Sequence, residues 1–338
     1  MDEKTQETTV EDLGHLSRKT IITTLTVLGI IALFLATTSL LVQPKTETSV
    51  FGLFDPGVSS IQAEPENSID VLVVGDSIAL NSYLPYETWH DYGYTSHVLS
   101  TLGQKLPDSD TTLHLALRNQ HPKVILFEVQ PLLAGTTFDD VLLSVSCRVF
   151  PVFRYHSRWR ELTSVDFTLQ QQEYERSPYH GAKPEYTIEP VSKRTLDAYM
   201  RPTLEWASID AFSAWYFKQI LGYCRSVGAT PVLYSAPCPK NWNMAKQNAM
   251  TAWADEQGVD YYDLNLLVDE IGIDWATDST DGGEHLNVFG ATKLSRYLGK
   301  LLDETYKLPD HRNTEGYEQW DEDYELLHEG AVPVLAID

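Results

Sequence analysis

Short apolar runs alternate with longer amphipathic stretches between residues 69 and 305. A strand that is buried on both faces of a parallel sheet has a continuous apolar run of this kind. The pattern predicts five strands, at residues 69–75, 96–100, 123–129, 230–236 and 259–264. Helical spacing predicts intervening helices at residues 110–120, 206–226, 242–258 and 287–305. This alternation predicts an α/β fold, a three-layer α/β/α sandwich with a central parallel sheet of about five strands.

Residues 130–203 interrupt this alternation with a long segment that is aromatic and basic in places. The segment is too long for a simple connection, so we interpret it as an insertion over one end of the sheet. Ligands of open α/β sheets lie beyond the carboxyl ends of the strands, and an insertion that leaves the third strand is placed to wall a pocket. Residues 43–67 contain Pro, Gly, Ser and Glu and are interpreted as a linker, so the folded domain is expected over residues 68–307.

Residues 20–42 contain no charged side chain and are numerous enough to cross a hydrocarbon core of about 30 Å. Arg18 and Lys19 precede this stretch, so residues 1–19 are expected in the cytoplasm and everything after Gln43 outside. A cleaved signal peptide is the alternative, but its apolar region is usually shorter and is followed by a cleavage site with small residues. The sequence therefore favours an uncleaved, single-pass membrane anchor.

The charge balance is strongly acidic, with 48 Asp and Glu against 25 Lys and Arg and a formal net charge of −23. A surface this negative repels phosphate backbones, which argues against nucleic acid as a partner. Nine of the acidic residues lie between Asp310 and Asp338, and only Arg312 offsets them. We interpret residues 308–338 as a solvated acidic tail.

The three cysteines show neither CxxC spacing nor paired histidines, so the sequence does not support a zinc site. They are expected to be buried small hydrophobic residues; they are Cys147, Cys224 and Cys238.

The first apolar run ends in Gly-Asp-Ser, which places Ser77 directly after a buried strand. A serine hydroxyl is a poor nucleophile until a base takes its proton, and a histidine oriented by a carboxylate can be that base. His285 lies in a Gly-rich loop at the start of the last predicted helix, with Asp281 four residues before it. A turn followed by a helix cap is the alternative interpretation of Gly-Asp-Ser. Asp76 is expected to cap backbone N–H groups and is otherwise only a candidate pocket residue.

The segments VLVVGDSIA, at residues 71–79, and DGGEHLN, at residues 281–287, resemble the first and last sequence blocks of the SGNH, or GDSL-type, hydrolases. Both blocks occur in the order of the family, and the resemblance covers residues 69 to about 305. It implies that Ser77 is the nucleophile and His285 the base of an ester-cleaving enzyme that requires no metal or cofactor.

The last block departs from the family pattern in the position of its carboxylate. The family usually has an aspartate three residues before the histidine, where this chain has Gly282. Asp281 lies one residue further away, and Asp278 is the alternative. Gly282 and Gly283 can adopt backbone angles closed to other residues, so they could absorb the extra residue. Glu284 is then expected to point to solvent.

The resemblance also implies an oxyanion hole. The family builds it from a backbone N–H at the serine, a glycine after the second strand and an asparagine after the third. Gly103 matches the glycine loosely, and Gln130 occupies the asparagine position. A glutamine there, together with an N-terminal anchor, is similar to the outward-facing members of the family that act in teichoic-acid D-alanylation.

Four further residues are candidates for lining the pocket. Trp242 and Asn243 follow the fourth strand, although a packed aromatic ring and a helix cap are equally good interpretations. His156 and Arg158, beside Trp159 in the insertion, could bind an anionic or sugar ligand. A packing surface of Arg and Trp is the alternative interpretation.

These features favour a membrane-anchored serine esterase or acyl hydrolase that acts on O-acylated cell-surface glycans or envelope polymers. An O-acyltransferase on the same polymers is one alternative, and a non-catalytic glycan-binding module with a degenerate site is another. The expected partners are the acylated polymer and the membrane, and the sequence identifies no protein partner.

Overall fold

The computed structural model describes residues 18–329, and the structural statements below concern that part of the chain. Its five strands are β1 Val71–Val74, β2 Ser96–Val98, β3 Val124–Glu128, β4 Thr230–Ser235 and β5 Asp260–Asp263. They form one sheet in the order β2-β1-β3-β4-β5, and every neighbouring pair is parallel. All residues of β1, β2 and β3 are buried, as the continuous apolar runs of β1 and β3 predict.

Helices occupy most of the chain between the strands. The first seven are α1 Arg18–Val42, α2 Pro56–Ser59, α3 Ser77–Ser82, α4 Pro85–Tyr92, α5 Leu106–Ala116, α6 Gln130–Leu133 and α7 Phe138–Val149. The others are α8 Val152–Tyr155, α9 Lys193–Ala198, α10 Ala211–Ser226, α11 Met244–Gln257, α12 Val268–Ile271, α13 Val288–Tyr306 and α14 Glu318–Glu329. Short 3₁₀ helices cover Ser60–Ala63, His156–Arg160, Ser164–Phe167 and Leu264–Leu266.

The helices pack in two groups around the sheet. In one group α13 contacts α3 and α4, and α14 contacts α4; in the other α10 contacts α5 and α6. Phe217 of α10 stacks on Trp253 of α11, with 5.5 Å between the ring centroids. The predicted fold class is therefore confirmed, with a five-stranded parallel sheet between flanking helices and one long apolar helix at the N-terminal end.

The predicted elements lie within a few residues of the observed ones. Helix α10, predicted from residue 206, begins at Ala211, and α5, predicted to start at an Asp110 cap, begins earlier, at Leu106. Pro107 lies in its first turn, where the missing N–H of proline costs nothing, and this allows the earlier start.

Residues 43–67 are not a free linker. Phe51, Phe54, Val58 and Ile61 are each at most 2% exposed, and the last three belong to the main hydrophobic core. The sequence suggested a linker for two reasons. The segment has a turn-forming composition, and these four apolar side chains follow neither the period of a strand nor that of a helix. The folded domain therefore starts directly after α1.

The acidic C-terminal segment is likewise packed as far as residue 329. Helix α14 lies against α4, and Trp320 is 3% exposed, with its ring 5.5 Å from that of Trp89. Six of the nine acidic residues lie on this helix, whose Trp320, Tyr324 and Leu327 pack against the core of the domain. Residues 330–338 of the predicted tail are outside the described part of the chain.

Helix α1 is long and apolar enough to cross a membrane, with 25 residues and a mean hydropathy of 2.4 in its most apolar window. A signal sequence near an N-terminus would pass the same test of length and composition. Most of α1 is exposed in the structure, and only Ser39 and Val42 at its C-terminal end are buried. Residues 1–17 of the predicted cytoplasmic segment are outside the described residues.

Candidate active site

Ser77 is the first residue of α3 and lies just beyond the carboxyl end of β1. Between strand and helix, Gly75 passes so close to β3 that a Cβ there would lie 2.8 Å from the Cβ of Glu128. Asp76 caps α3, since its side chain accepts a hydrogen bond from Ile78 N, which confirms its predicted role. This tight turn leaves Ser77 half-buried at the edge of the sheet where β1 and β3 end.

His285 and Asp281 lie together in the loop before α13. The Ser77 hydroxyl donates to His285 Nε2 over 2.7 Å, and His285 Nδ1 donates to Asp281 Oδ2 over 2.6 Å. The second carboxylate oxygen of Asp281 accepts from the backbone N–H groups of Glu284 and His285, each at 3.0 Å. The structure thus joins the three predicted catalytic residues in one series of hydrogen bonds.

Two glycines accommodate the extra residue between Asp281 and His285. Gly282 and Gly283 have φ angles of +75° and +111°, in the region that side-chain-bearing residues rarely adopt. The turn is closed by Ser279, whose hydroxyl accepts from Gly283 N at 2.7 Å. The longer spacing is therefore compatible with the usual Asp-to-His contact.

The alternative carboxylate, Asp278, is engaged elsewhere. It is 1% exposed, and its Oδ2 lies 2.7 Å from Lys293 Nζ and accepts from Asp274 N at 2.8 Å. Thr277 donates to its other oxygen. Asp278 therefore stabilises the base of the loop, and no hydrogen bond joins it to His285 within the described residues.

The electrostatics of Asp281 suit a triad carboxylate. Burial alone would raise the pKa of Asp281, but hydrogen bonds from the backbone and ring of His285 outweigh it and hold the pKa below the ordinary value. Asp281 therefore remains ionised at neutral pH. A fixed negative charge at Nδ1 keeps Nε2 free to accept the proton of Ser77.

Gln130 begins α6 directly beyond β3, beside the strand that leads to Ser77. Its backbone N–H donates to Glu128 Oε2 at 2.8 Å, and its side-chain Oε1 lies 3.4 Å from Lys246 Nζ. Since Lys246 engages the amide oxygen, the amide NH₂ of Gln130 is left as the group that can donate to a ligand.

Gly103 is an exposed turn residue after β2 with a φ angle of +63°. Among the described residues no hydrogen bond joins it to the triad, so its place in an oxyanion hole stays a prediction.

Two buried carboxyl groups lie close to the nucleophile. Burial and the negative charge of Asp76 raise the pKa of Glu128 well above its ordinary value. Burial likewise raises the pKa of Asp76 itself, although the hydrogen bond from Ile78 opposes the shift. Burial lowers the pKa of Lys246, whose charge lies near both acids. Glu128 accepts a hydrogen bond from Gln130 N and thereby helps to hold the start of α6 beside β3.

Trp242 and Asn243 have the structural roles that were their alternative interpretations. Trp242 is 4% exposed, and its indole N–H donates to Asp263 Oδ2 at 3.0 Å. Asn243 caps α11 by accepting from Lys246 N. Neither side chain contacts the triad through a hydrogen bond among the described residues.

Arg158 lies against the C-terminal end of α1. Its Nη1 donates to the carbonyl oxygen of Val42 at 2.5 Å, and Nη2 is 3.0 Å from Asp166. His156 contacts the carbonyl of Phe153 within its own segment. The contacts of Arg158 fit its alternative interpretation as a packing residue, and among the described residues no hydrogen bond joins either side chain to Ser77.

The loop after β4 contributes contacts that sequence reasoning did not find. Asn241 donates to Glu284 Oε1 at 2.8 Å, so Glu284 does not point freely to solvent as expected. Lys246 donates to the Asn241 carbonyl at 2.6 Å, and Lys240 Nζ bonds to the carbonyl of Asp281. The only sequence signal for these contacts was that residues 237–243 directly follow β4, at the same edge of the sheet as Ser77.

The end of the insertion packs on the catalytic loop, in the position expected of a pocket wall. Glu189 N donates to Ser279 O at 2.9 Å, and Val288 N donates to Glu185 O at 2.7 Å. A Cβ at Gly283 would meet both methyl groups of Val191 at 3.2 Å. These contacts restrict the backbone that carries Asp281 and His285.

One group of possible metal ligands is found among the described residues, and it consists of Asp281, Glu284 and His285. The first and last of these already bond to each other, and the His285 nitrogen that remains is bonded to Ser77. The donor set therefore belongs to the triad. Of the cysteines, Cys224 and Cys238 are buried as expected, whereas Cys147 is only half-buried.

No family model and no curated protein matches this chain. Among solved structures, it is similar to a lipase/acylhydrolase from Enterococcus faecalis, at 10% identity and a TM-score of 0.37, over 72% of this chain and 98% of that one. It is also similar to a GDSL-like lipase from Bacteroides thetaiotaomicron, at 8% identity and a TM-score of 0.36, over 73% of this chain and 95% of that one. A third similar structure is TesA, at 14% identity and a TM-score of 0.37, over 70% of this chain and 98% of that one.

Proposed function

We propose that this chain is a serine-dependent acyl hydrolase that cleaves ester bonds with Ser77, His285 and Asp281. The observation that carries the proposal is the pair of hydrogen bonds of 2.7 Å and 2.6 Å that links the three side chains. A serine held at this distance from an imidazole, with an ionised carboxylate on the far ring nitrogen, is arranged for nucleophilic attack on a carbonyl.

The chemistry proceeds in two halves. Ser77 Oγ forms a bond to the ester carbonyl carbon while His285 Nε2 takes the hydroxyl proton, and the carbonyl electron pair moves to the oxygen. When the carbonyl re-forms, the bond to the alcohol oxygen breaks and the imidazolium gives its proton to that alcohol. A water molecule then repeats the sequence on the acyl-serine, which releases the acid and regenerates Ser77.

The oxyanion needs donors beside the nucleophile. We assign it to the backbone N–H of Ser77 and the side-chain amide of Gln130, which follow the adjacent strands β1 and β3. The Gly103 N–H is the third donor that the sequence resemblance predicts. Donors of this kind are typically worth about 10²–10³ in rate each.

The proposed substrates are O-acylated glycans or envelope polymers at the membrane surface. The site is open, because the side chains of His285 and Asp281 are 18% and 34% exposed and Ser77 is half-buried. An open site suits an acyl group carried on a large polymer, since the polymer can lie across the surface. The apolar helix α1 supports a location at a membrane, and Arg18 and Lys19 at its start favour a cytoplasmic N-terminus.

Reaction with a fluorophosphonate probe tests the proposal, together with hydrolysis of p-nitrophenyl acetate. The wild type should be labelled at Ser77 and should hydrolyse the ester, whereas Ser77→Ala and His285→Ala should both lose turnover because they act as one unit. Ser157→Ala changes an exposed serine outside the site and serves as the control. A folded wild type that shows neither labelling nor turnover but binds glycans would instead be a binding module.

A further inference from the structure

Six exposed apolar side chains lie within residues 149–169, a segment that we call the collar. Their exposed fractions range from 38% to 99%; they are Val149, Phe153, Trp159, Val165, Phe167 and Leu169. Apolar surface concentrated in this way usually marks an interaction site, whereas single exposed apolar residues do not. The collar therefore needs an occupant that removes it from water.

The collar is fastened to the C-terminal end of the apolar helix α1. Helix α8 and both 3₁₀ helices of the collar contact α1. Ser39 Oγ accepts from Val152 N at 3.1 Å, and Arg158 donates to the carbonyl oxygen of Val42 at 2.5 Å. Ser39 and Val42 are the two buried residues of α1. The collar therefore lies at the level of the last turn of this helix.

The length of α1 places that turn at a membrane surface. Its 25 residues extend about 37 Å at 1.5 Å per residue, whereas a hydrocarbon core of about 30 Å takes about 20 residues. Counted from the charged Lys19, the core takes residues 20–39, so residues 40–42 emerge among the lipid headgroups. The collar shares this depth whichever way the helix is oriented.

The composition of the collar fits a lipid surface. The collar contains three arginines and two acidic residues, Glu161 and Asp166, in a chain whose net charge is −23, and Asp166 pairs with Arg158. Arg160 lies over the ring of Trp159, 5.0 Å from its centroid. Trp is enriched where a protein meets the headgroup region, and arginine interacts favourably with anionic headgroups there.

We propose that the collar is a membrane-interfacial surface, with its apolar side chains in the leaflet from which α1 emerges and its exposed Arg154 and Arg160 at the lipid phosphates. The catalytic domain is then held against the bilayer by two attachments, the anchor and the collar. This inference rests on α1 spanning the membrane and is independent of the ester chemistry.

Fluorescent labelling of the full chain in lipid vesicles tests the proposal. A Cys147→Ser background removes the one half-buried thiol, and an environment-sensitive label is placed at Leu169→Cys. Leu204→Cys is the matched control, because Leu169 and Leu204 are 99% and 95% exposed and only the former is in the collar. With phosphatidylcholine carrying a nitroxide high on the acyl chain, we expect at least about twofold stronger quenching at position 169, as for an interfacial segment.

Three further outcomes are informative. A label at Leu28→Cys, within α1, should be quenched by a nitroxide deep in the acyl chain, and its failure to be quenched would refute the span and the collar together. Equal quenching at positions 169 and 204, with position 28 quenched, would refute the collar alone. A label at 169 that is shielded from aqueous iodide but not quenched by lipid would assign the surface to a protein contact instead. Matching thermal unfolding of the labelled proteins verifies that all are folded.

Discussion

Asp281 uses both carboxylate oxygens for different tasks. Oδ1 is bonded by the backbone of Glu284 and His285, and Oδ2 is bonded by the His285 ring. Because the backbone bonds hold one oxygen, the other is oriented toward the imidazole before substrate arrives. Preorganisation of this kind lowers the barrier because the groups need not reorganise during the reaction.

Replacing Asp281 by Asn should lower kcat by about 10² or more. The amide keeps the shape but lacks the charge that fixes the imidazole tautomer, an effect of about 10⁴ in the serine protease triad, which is a worked example of the principle. We expect less here because the carboxylate is 34% exposed. Glu284→Gln is the matched control, since glutamine can still accept the bond from Asn241 and kcat should change little.

The Asp278→Asn variant tests which of the two aspartates of the loop, Asp278 or Asp281, acts with His285. The variant weakens a buried pair with Lys293, so we expect a lower free energy of unfolding with kcat of the folded fraction nearly unchanged. Urea unfolding and active-site titration together measure this. If Asp278→Asn abolishes turnover while Asp281→Asn does not, the assignment of the triad is wrong by three residues.

Gln130→Ala should lower kcat by about 10²–10³ with a smaller change in KM, because the amide is assigned to the transition-state oxyanion. Gln130→Glu keeps the side-chain length but removes the donor, and it should be impaired alike. The measurement is steady-state hydrolysis of p-nitrophenyl acetate. Activity retained in both variants would place the oxyanion donors elsewhere.

The three side chains of the proposed triad could be predicted to lie together because they belong to two short sequence blocks. Lys246 and Asn241 could not, since their contacts with Gln130 and Glu284 depend on loops that meet only in the folded chain. Arg158 was misplaced for the same reason. Its residue type suggested an anionic ligand, but only the fold shows that its partner is the end of α1.

At the scale of elements, α14 packs against α4, the helix that precedes β2 and contacts it. The Trp320 ring is stacked on His180 with 3.6 Å between centroids and lies 5.5 Å from the Trp89 ring. Trp89 donates its indole N–H to Asp321 Oδ1 at 2.8 Å. The helix thus contacts both α4 and His180 of the insertion.

Trp320→Ala should reduce the free energy of unfolding by about 3–5 kcal/mol, the usual cost of truncating a buried tryptophan. Leu326→Ala on the same helix is the control, because Leu326 is 59% exposed and its truncation should cost little. Chemical denaturation of both variants measures the difference. Equal stability of the two variants would mean that α14 contributes nothing to the core.

The strands and long helices could be predicted because periodic burial repeats along each of them. Residues 43–67 and α14 could not, because single large side chains at irregular spacing carry their burial and polar residues surround them. Phe51 and Trp320 are both in sequence contexts typical of loops or solvated tails. The composition of such a segment predicts that most of its residues are exposed, but it does not predict which few side chains are buried.

At the scale of the whole molecule, one ionic cluster joins three distant parts of the chain. Arg176 of the insertion contacts Glu64, which follows α1 in the chain, and Asp323 of α14, and His180 contacts both acids. Burial alone would raise the pKa of both carboxyl groups, but the bonds and charges of His180 and Arg176 outweigh it and lower both pKa values. The cluster stabilises the ionised acids in the folded state.

This cluster should make stability depend on pH under acidic conditions. A carboxyl group whose pKa is lower in the folded state contributes stability above its unfolded pKa of about 4, and that contribution is lost as the pH falls through the folded pKa. We expect Asp323→Asn to lower the free energy of unfolding by about 2 kcal/mol at pH 7, because it removes the charge of one of the two carboxylates that pair with Arg176 and His180. The difference in free energy of unfolding between the variant and the wild type should become smaller as the pH falls below 4, as measured by urea unfolding. A gap that is constant between pH 7 and pH 3 would contradict the role of the charge.

The chain continues from α1 into the domain without a free tether. Gln43 bonds to Gln172 at 2.8 Å, Gln172 donates to the Pro44 carbonyl at 2.9 Å, and Glu175 N donates to Glu47 at 3.1 Å. If α1 spans a membrane as proposed, these contacts hold the domain at one fixed distance from the bilayer, whereas a flexible tether would allow a range of distances. Under the proposed function, only acyl groups at that distance from the membrane surface would reach Ser77.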